Sequence, residues 1–202
     1  MLPAPSGGLW EWFAGGSVGY LTDLETEMYG LHAGVEYRDP AAAGTHAIFL
    51  EVGYADDDAR YSLLSTAPGG RSEWAAIDLD IIPITLNYKF EAPLTESLNY
   101  YLGAGVGIAI LDGSQSWGWS QVTAPPNPFS GGGSVDDTEV RFYGHIFAGL
   151  TYNLSESFEL FGGARYIIMD DFDVPFQATG APSYSAGIDG DVLVELGVRF
   201  NF

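Results

Sequence analysis

The final stretch of the chain, residues 187–202, reads GIDGDVLVELGVRFNF and constrains the fold more than any other feature. From Val192 to Phe202 an apolar side chain occupies every second position, and mostly polar or small residues lie between. A period of two indicates a β-strand with one apolar face. Strands of soluble domains usually have about five or six residues. A strand of this length that ends on an aromatic residue is therefore unusual for a small soluble domain.

The same alternation recurs along the chain and predicts eight strands. They cover residues 9–21, 27–38, 45–55, a less regular strand that ends near residue 91, then 98–111, 138–153, 158–170 and 187–202. Aromatic residues bracket several apolar faces, as Trp10 and Tyr20 do in the first strand. Most short turns alternate with longer breaks at residues 56–72, 112–137 and 171–186. This pattern predicts an antiparallel barrel with its long connections at one end.

The fourth strand is expected to be irregular, because its polar and apolar positions exchange faces near Pro83. Proline cannot donate to a strand ladder and is confined to edges, strand starts and bulges. We therefore expect a β-bulge near Ile82 and Pro83. Without one, Asp78 and Asp80 would lie on the apolar side, which is tolerable only above a membrane.

The repeated pattern and the terminal Phe202 resemble the small outer-membrane β-barrels of Gram-negative bacteria, the OmpA-type and opacity-type barrels. The resemblance covers residues 9–202 and implies an all-β, eight-stranded antiparallel up-and-down transmembrane β-barrel. It also implies a monomer in the bacterial outer membrane, with residues 1–8 as an N-terminal periplasmic segment. The implied partners are membrane lipid, lipopolysaccharide and the outer-membrane assembly machinery, which would read the strand ending at Phe202. No secretory signal is present in this sequence, so export would require a leader that has been removed.

A soluble eight-stranded barrel of the lipocalin type is the competing fold, with its apolar face inward. The faces opposite the apolar ones disfavour it, because they carry charges of both signs and many glycines. These charged positions are the candidate lumen network: Glu11, Glu36, Arg38, Glu51, Lys89, Arg141, Glu159, Arg165, Glu195 and Arg199, with Glu91 and Glu139 on the same faces. An eight-stranded barrel is just wide enough to be filled by side chains. The network therefore predicts a plugged lumen, and a narrow channel for ions or small solutes is the alternative.

The composition excludes several classes of function. The net charge is −20, with 27 acidic and 7 basic side chains, which disfavours nucleic acid as a partner. The chain has no cysteine, so disulfides and thiolate metal sites are excluded. A solvated surface, or a salt-rich habitat, explains the acidity. The alternative is a Ca²⁺ or Mg²⁺ site where the acidic breaks meet, formed by Asp56, Asp57, Asp58, Asp170, Asp171 and Asp173.

No catalytic site, metal motif or cofactor is predicted. The three histidines, His32, His46 and His145, have no serine in phase with them that would suggest a hydrolytic triad. A lipid-modifying enzyme is therefore a minor alternative, and we expect a structural or adhesive protein. The 112–137 break contains Trp117 and Trp119 and is a candidate contact for an extracellular partner.

Overall fold

The computed structural model describes residues 9–38, 44–64, 71–121, 129–169, 172–174, 184–186 and 190–202. Within them the strands are β1 (Leu9–Leu21), β2 (Thr26–Arg38), β3 (Thr45–Leu64), β4 (Arg71–Pro93), β5 (Leu98–Gln121), β6 (Phe129–Asn153), β7 (Phe158–Met169), β8 (Phe172–Val174), β9 (Tyr184–Ala186) and β10 (Val192–Asn201). No helix among the described residues is long and apolar enough to cross a membrane.

Eight of these strands form a closed antiparallel barrel in the order β1-β10-β7-β6-β5-β4-β3-β2. Sequential strands are neighbours, and the barrel closes where β1 pairs with β10 from Phe13↔Asn201 to Leu21↔Leu193. Two further hydrogen bonds join the backbones of Trp12 and Phe202, at 2.9 and 3.2 Å. The up-and-down barrel predicted from the sequence is therefore confirmed.

The apolar faces of the strands point outward and the charged faces point inward. Leu31 and Leu196 are 73% and 68% exposed, whereas Glu195, the residue immediately before Leu196, is 3% exposed. This orientation is the reverse of the one that a soluble barrel requires. It follows from the strand period, because adjacent residues must lie on opposite sides of the sheet.

Strands β3 to β6 are much longer than the sequence predicts. The ladder between β2 and β3 ends at Ala55, and the one between β6 and β7 begins at Tyr143. Beyond these residues the ladders between β3 and β4, β4 and β5, and β5 and β6 continue. The predicted breaks at 56–72 and 112–137 are therefore wrong over most of their length. They form a four-stranded sheet that projects from the barrel, which we call the protruding sheet.

Tryptophans that cover glycines explain why this glycine- and serine-rich sequence forms strands. The indole of Trp74 lies against Gly118, and a Cβ added to Gly118 would come within 2.6 Å of it. Trp117 covers Gly133 on the neighbouring strand in the same way, at 3.0 Å. A glycine weakens a strand because it has no side chain to pack, and the neighbouring indoles supply that packing here.

The predicted bulge at Ile82 and Pro83 is also wrong. β4 is continuous, and its register with β3 is the same at Val52↔Ile84 as at Ala55↔Ile81. Its register with β5 is unbroken through Pro83↔Ala109. What changes at Pro83 is the chemistry of the two faces, because the interior turns from polar to apolar while the exterior turns from apolar to acidic.

The last two barrel strands differ slightly from the prediction. β7 ends at Met169, and β10 begins at Val192 after a turn in which Gly190 has a φ of 80°. Strands β8 and β9 pair with each other as a separate two-stranded sheet within the predicted 171–186 break. The predicted periplasmic segment, residues 1–8, lies outside the described residues.

Candidate functional site

The centre of the lumen holds an arginine between two glutamates. Arg165 projects from β7 and donates to both carboxylate oxygens of Glu195 on β10, at 2.9 and 3.0 Å. It also donates to both oxygens of Glu51, through Nη1 to Oε1 and through Nη2 to Oε2 at 3.0 Å. All three side chains are buried. Strands β3 and β7 lie four places apart in the ring of eight, so this contact spans the barrel.

A second ionic cluster lies nearer the chain termini. Arg199 of β10 contacts Glu36 of β2 at 2.8 Å and Glu159 of β7 at 2.6 Å. Its guanidinium carbon lies 4.8 Å from the centre of the Phe13 ring on β1, the strand between β10 and β2. The Arg199 guanidinium therefore extends across the Phe13 ring and contacts the Glu36 carboxylate two strands away.

The third buried cation is Lys89, which contacts Glu91 on its own strand at 2.6 Å. Asn99 donates to the other oxygen of Glu91 at 2.7 Å. Burial of an ion costs several kcal/mol unless it is paired and hydrogen-bonded. Arg165 and Lys89 meet both conditions, whereas Arg199 is paired with two carboxylates but keeps Nε and Nη1 without a hydrogen bond.

Aromatic rings and one histidine pack between the two arginine clusters. His32 lies 5.6–6.1 Å, between ring centres, from Phe13, Phe49 and Phe161. Tyr101 lies 6.1 Å from Phe147. A cavity of about 40 Å³ remains among these side chains. Five polar atoms of the residues that line it have no hydrogen-bond partner: the hydroxyls of Tyr101 and Thr151, Oε2 of Glu159, and Nε and Nη1 of Arg199.

An apolar layer closes the lumen at the end away from the termini. Its buried members are Leu21, Met28, Ala55, Leu79, Ile81, Ala109, Leu111, Tyr143, Ile167, Met169 and Leu193. We call this group the apolar cap. It begins at the level where the outer surface turns acidic, so this end of the barrel has the polarity of a soluble β-barrel.

Three of the predicted lumen residues lie at the ends of the barrel. Arg38 is about half exposed and lies 3.5 Å from Glu36 at the end with the termini. Arg141 lies near the cap, is partly exposed and pairs with Glu139. Glu11 is half-buried. The other seven predicted residues, Glu36, Glu51, Lys89, Glu159, Arg165, Glu195 and Arg199, are buried inside.

The predicted acidic loop site is not assembled by the described residues. Asp56, Asp57 and Asp58 are consecutive in β3, so they point to alternate faces of the sheet. Asp173 lies in β8, and Asp170 and Asp171 lie outside the described residues. Within the described ranges no three acidic or histidine side chains are grouped to hold a metal ion. The cation site stays a prediction.

Sequence reasoning missed Asp191, which is 1% exposed. Its carboxylate accepts hydrogen bonds from Thr22 Oγ1 and the Asp23 amide, both at 2.9 Å, and from the Leu24 amide at 3.3 Å. It therefore fastens the β1–β2 turn to the start of β10. The available signal was Asp191 beside Gly190, a pair typical of a turn. The predicted last strand began at residue 187 and included both residues, so the turn was not recognised.

No protein-family model matches the chain, and no curated protein matches it. Among solved structures it resembles the Neisserial surface protein A at 15% identity and a TM-score of 0.47, over 97% of this chain and 99% of that one. It resembles the N-terminal β-barrel domain of Pseudomonas aeruginosa OprF at 14% identity and a TM-score of 0.43, over 97% and 100%. The attachment invasion locus protein Ail of Yersinia pestis matches at 13% identity and 0.45, over 98% and 99%.

The fold defines a class, the small eight-stranded antiparallel β-barrel. The TM-scores of the three solved structures are all below 0.5, so the class rests on this chain's own strand order and pairing.

Proposed function

We propose that the chain is an integral protein of the bacterial outer membrane with a structural or adhesive role. The observation that carries this proposal is the inverted polarity of the barrel. Large apolar side chains such as Leu31 and Leu196 are exposed, while Arg165, Glu51 and Glu195 are buried. Only a lipid environment makes such an exterior favourable, because apolar surface in water costs roughly 25 cal/mol per Å².

The height of the apolar exterior fits a bilayer. On β1 the outward aromatic residues Trp10 and Tyr20 are about ten positions apart, or ~33 Å along a strand at ~3.3 Å per residue. A strand tilt of about 45° reduces this to ~23 Å, close to the ~25 Å apolar band of outer-membrane barrels. Both residues are exposed, at 66% and 47%, as interfacial aromatic residues should be.

Extraction and gel mobility test the membrane location. The expressed chain should sediment with the membrane fraction and require detergent, and on a denaturing gel it should migrate faster before boiling than after. A chain that stays monodisperse in plain buffer would overturn the proposal.

We infer that the lumen is closed. Support comes from the two arginine clusters, the aromatic rings between them and the apolar cap above them. The second candidate function is a narrow channel, which the lumen cavity of about 40 Å³ and the unpaired polar atoms of its lining residues favour. A hydrophobic constriction can gate such a path by excluding water.

Planar bilayer recordings separate the closed lumen from the channel. The closed lumen predicts no conductance steps from the wild-type barrel. It also predicts none when Leu111→Ser and Ile167→Ser introduce hydroxyls into the cap, because the arginine clusters and the aromatic rings still fill the lumen below it. Steps from the wild type that disappear when cap residues are enlarged would instead establish the channel.

The adhesive role is assigned to the protruding sheet. Residues 129–142 of β6 have no ladder partner on their outer side among the described residues. An unpaired strand edge can accept an extended segment of another chain. Binding of whole cells to a host surface should therefore fall when proline replaces Thr138 at the β6 edge, while folding of the barrel persists.

We propose no catalytic activity for this chain. His32 and His145 are buried among aromatic and charged side chains of the lumen. Turnover of labelled lipid by the purified barrel would overturn this statement. The further proposed contacts are bilayer lipid, lipopolysaccharide and the assembly machinery. Removal of the exposed Phe202 should slow assembly into vesicles that carry that machinery.

A further inference from the structure

The outer face of the protruding sheet presents one exposed tryptophan among serines. Trp74 is 51% exposed and lies over Gly118 of the neighbouring strand. Because side chains alternate between the faces of a strand, the even-numbered positions of β3 to β6 share this outer face. Around Trp74 they are the serines Ser62, Ser72, Ser116 and Ser120, together with Arg60 and Ala76.

The register places these serines close to the indole. Ser62 is directly opposite Trp74 on β3, and Gly118 is directly opposite on β5. Ser72 and Ser120 form the adjacent cross-strand pair. Directly opposite residues have Cβ atoms about 4.5–5.5 Å apart, and diagonal neighbours about 7–8 Å. Four serine hydroxyls thus lie on three strands beside one flat aromatic side chain, and we call this group the Trp74 platform.

We propose that the Trp74 platform binds an uncharged saccharide of an external glycan. This proposal rests on the proposed function, because only an outer-membrane location places the platform outside the cell. One face of a pyranose ring carries C–H bonds of slight positive charge, and the face of an indole is negative. A serine hydroxyl both donates and accepts hydrogen bonds, as the sugar hydroxyls do. A flat indole with serine hydroxyls on either side of it therefore matches the two surfaces that a sugar ring presents.

The net charge around the platform disfavours an anionic ligand, because the one described cation on this face, Arg60, lies 3.9 Å from Asp58 and is outnumbered by carboxylates. Two rows of aspartates cross the same face between the platform and the apolar exterior. One row contains Asp56, Asp80 and Asp112, and the next contains Asp58, Asp78 and Asp136. Such carboxylates repel sulfated or sialylated sugars and the phosphates of lipopolysaccharide. An uncharged glycan is not repelled by these carboxylates.

The height of the platform decides for a ligand outside the membrane. Trp74 lies eight positions beyond Ile82, which is about 26 Å along the strand at ~3.3 Å per residue and ~19 Å in height at a tilt of about 45°. Ile82 is near the level of Tyr54, where the outward aromatic residues end. The indole is thus well above the lipid head groups and open to a glycan on another surface.

Fluorine NMR of the full chain labelled with 5-fluorotryptophan tests the proposal. The chain has five tryptophans, and a Trp→Phe variant of each assigns its resonance. The probes are hexasaccharides of α- and β-linked glucose, mannose and N-acetylglucosamine, at about 10 mM, tenfold above a millimolar Kd. At least one should shift the Trp74 resonance, while those of Trp10 and Trp12 stay unchanged.

Variants then separate stacking from structural effects. By calorimetry, Trp74→Ala should weaken binding of the active sugar by at least about tenfold, because stacking on an aromatic ring is lost. Trp74→Tyr should retain binding within a few-fold, and Ser72→Ala and Ser120→Ala should each weaken it several-fold. Trp12→Ala is the matched control and should leave the affinity unchanged. Unaltered Trp117 and Trp119 resonances establish that the sheet of the Trp74→Ala variant is intact.

The proposal is overturned if no hexasaccharide shifts the Trp74 resonance. It is also overturned if the shift depends on protein concentration alone, which would indicate a second copy of the chain, or if Trp74→Ala binds as well as the wild type. None of these results affects the gel-mobility test, so that test decides the membrane assignment independently of the glycan proposal.

Discussion

Arg165 and Glu51 come from opposite walls of the barrel and are joined by two hydrogen bonds across the lumen. Glu195 holds the same guanidinium from its other side. The two carboxylates and one cation leave this cluster with a formal charge of −1. The arginine is therefore the element that makes the burial of both glutamates tolerable.

Replacement of Arg165 by methionine should be far more damaging than replacement of Glu51 by glutamine. Arg165→Met leaves two buried carboxylates without a counterion and should cost about 3–5 kcal/mol. Glu51→Gln keeps one carboxylate opposite the arginine and should cost less. Urea unfolding of the barrel in lipid vesicles measures both, and equal losses would contradict the assignment of Arg165 as the common counterion.

The hydroxyl of Thr151 provides a test of whether the lumen cavity holds water. If the hydroxyl is bound to water, Thr151→Val should lower the free energy of unfolding by ~1 kcal/mol, because the hydrogen bond between the hydroxyl and that water is lost. If the cavity is dry, the same change removes an unsatisfied polar group and should be stabilising. We expect the first result. Thr85→Val is the matched control and should be destabilising in both cases, because Asn87 donates to the Thr85 hydroxyl at 2.9 Å.

Asp191 should control the order of the β1–β2 turn. Asp191→Ala removes the acceptor for Thr22 and for two turn amides, so the turn should exchange its amide hydrogens faster. The expected loss is about 1–3 kcal/mol, the usual cost of an unsatisfied buried partner. Asp23→Asn serves as the control, because it leaves the Asp191 carboxylate in place. Unchanged exchange in Asp191→Ala would show that the turn is held by other contacts.

The aspartate rows of the protruding sheet should make its stability depend on salt. Asp56 lies directly opposite Asp80, which lies directly opposite Asp112. Like charges in cross-strand pairs are destabilising by ~0.2–1 kcal/mol. Asp56→Asn should therefore slow hydrogen exchange in β3 and β4 at low salt and have little effect at about 1 M salt, where the Debye length is ~3 Å. An effect independent of salt would contradict repulsion as its cause.

The barrel could be predicted from the sequence because its strands alternate between lipid-facing and lumen-facing residues. Arg165 and Glu51 could be assigned to the lumen by parity alone. Their contact could not, since it depends on which strands face each other across the closed ring. Pro83 was misinterpreted for a related reason. The alternation reports the chemistry of each face, and the environment outside β4 changes at Pro83 while the backbone continues without a break.

The protruding sheet could not be predicted because its sequence has the composition of a loop. Gly118 and Gly133 have no side chain, so they cannot contribute to an alternation of apolar and polar residues that would predict a strand. They are covered by Trp74 and Trp117 from neighbouring strands, a relationship that only the strand register reveals. Only the tryptophans themselves signalled that this segment was unusual.

The central claim is that the apolar exterior lies in lipid, and quenching by brominated phospholipids tests it most directly. In a background with every tryptophan replaced by phenylalanine, Leu31→Trp places one indole at a position that is 73% exposed on the exterior. A second variant in that background keeps only Trp74 of the protruding sheet. The fluorescence of the Leu31→Trp variant should be strongly quenched by bromines near the bilayer centre, and that of Trp74 should be unaffected. Equal fluorescence of both variants in brominated and ordinary vesicles would contradict a transmembrane barrel.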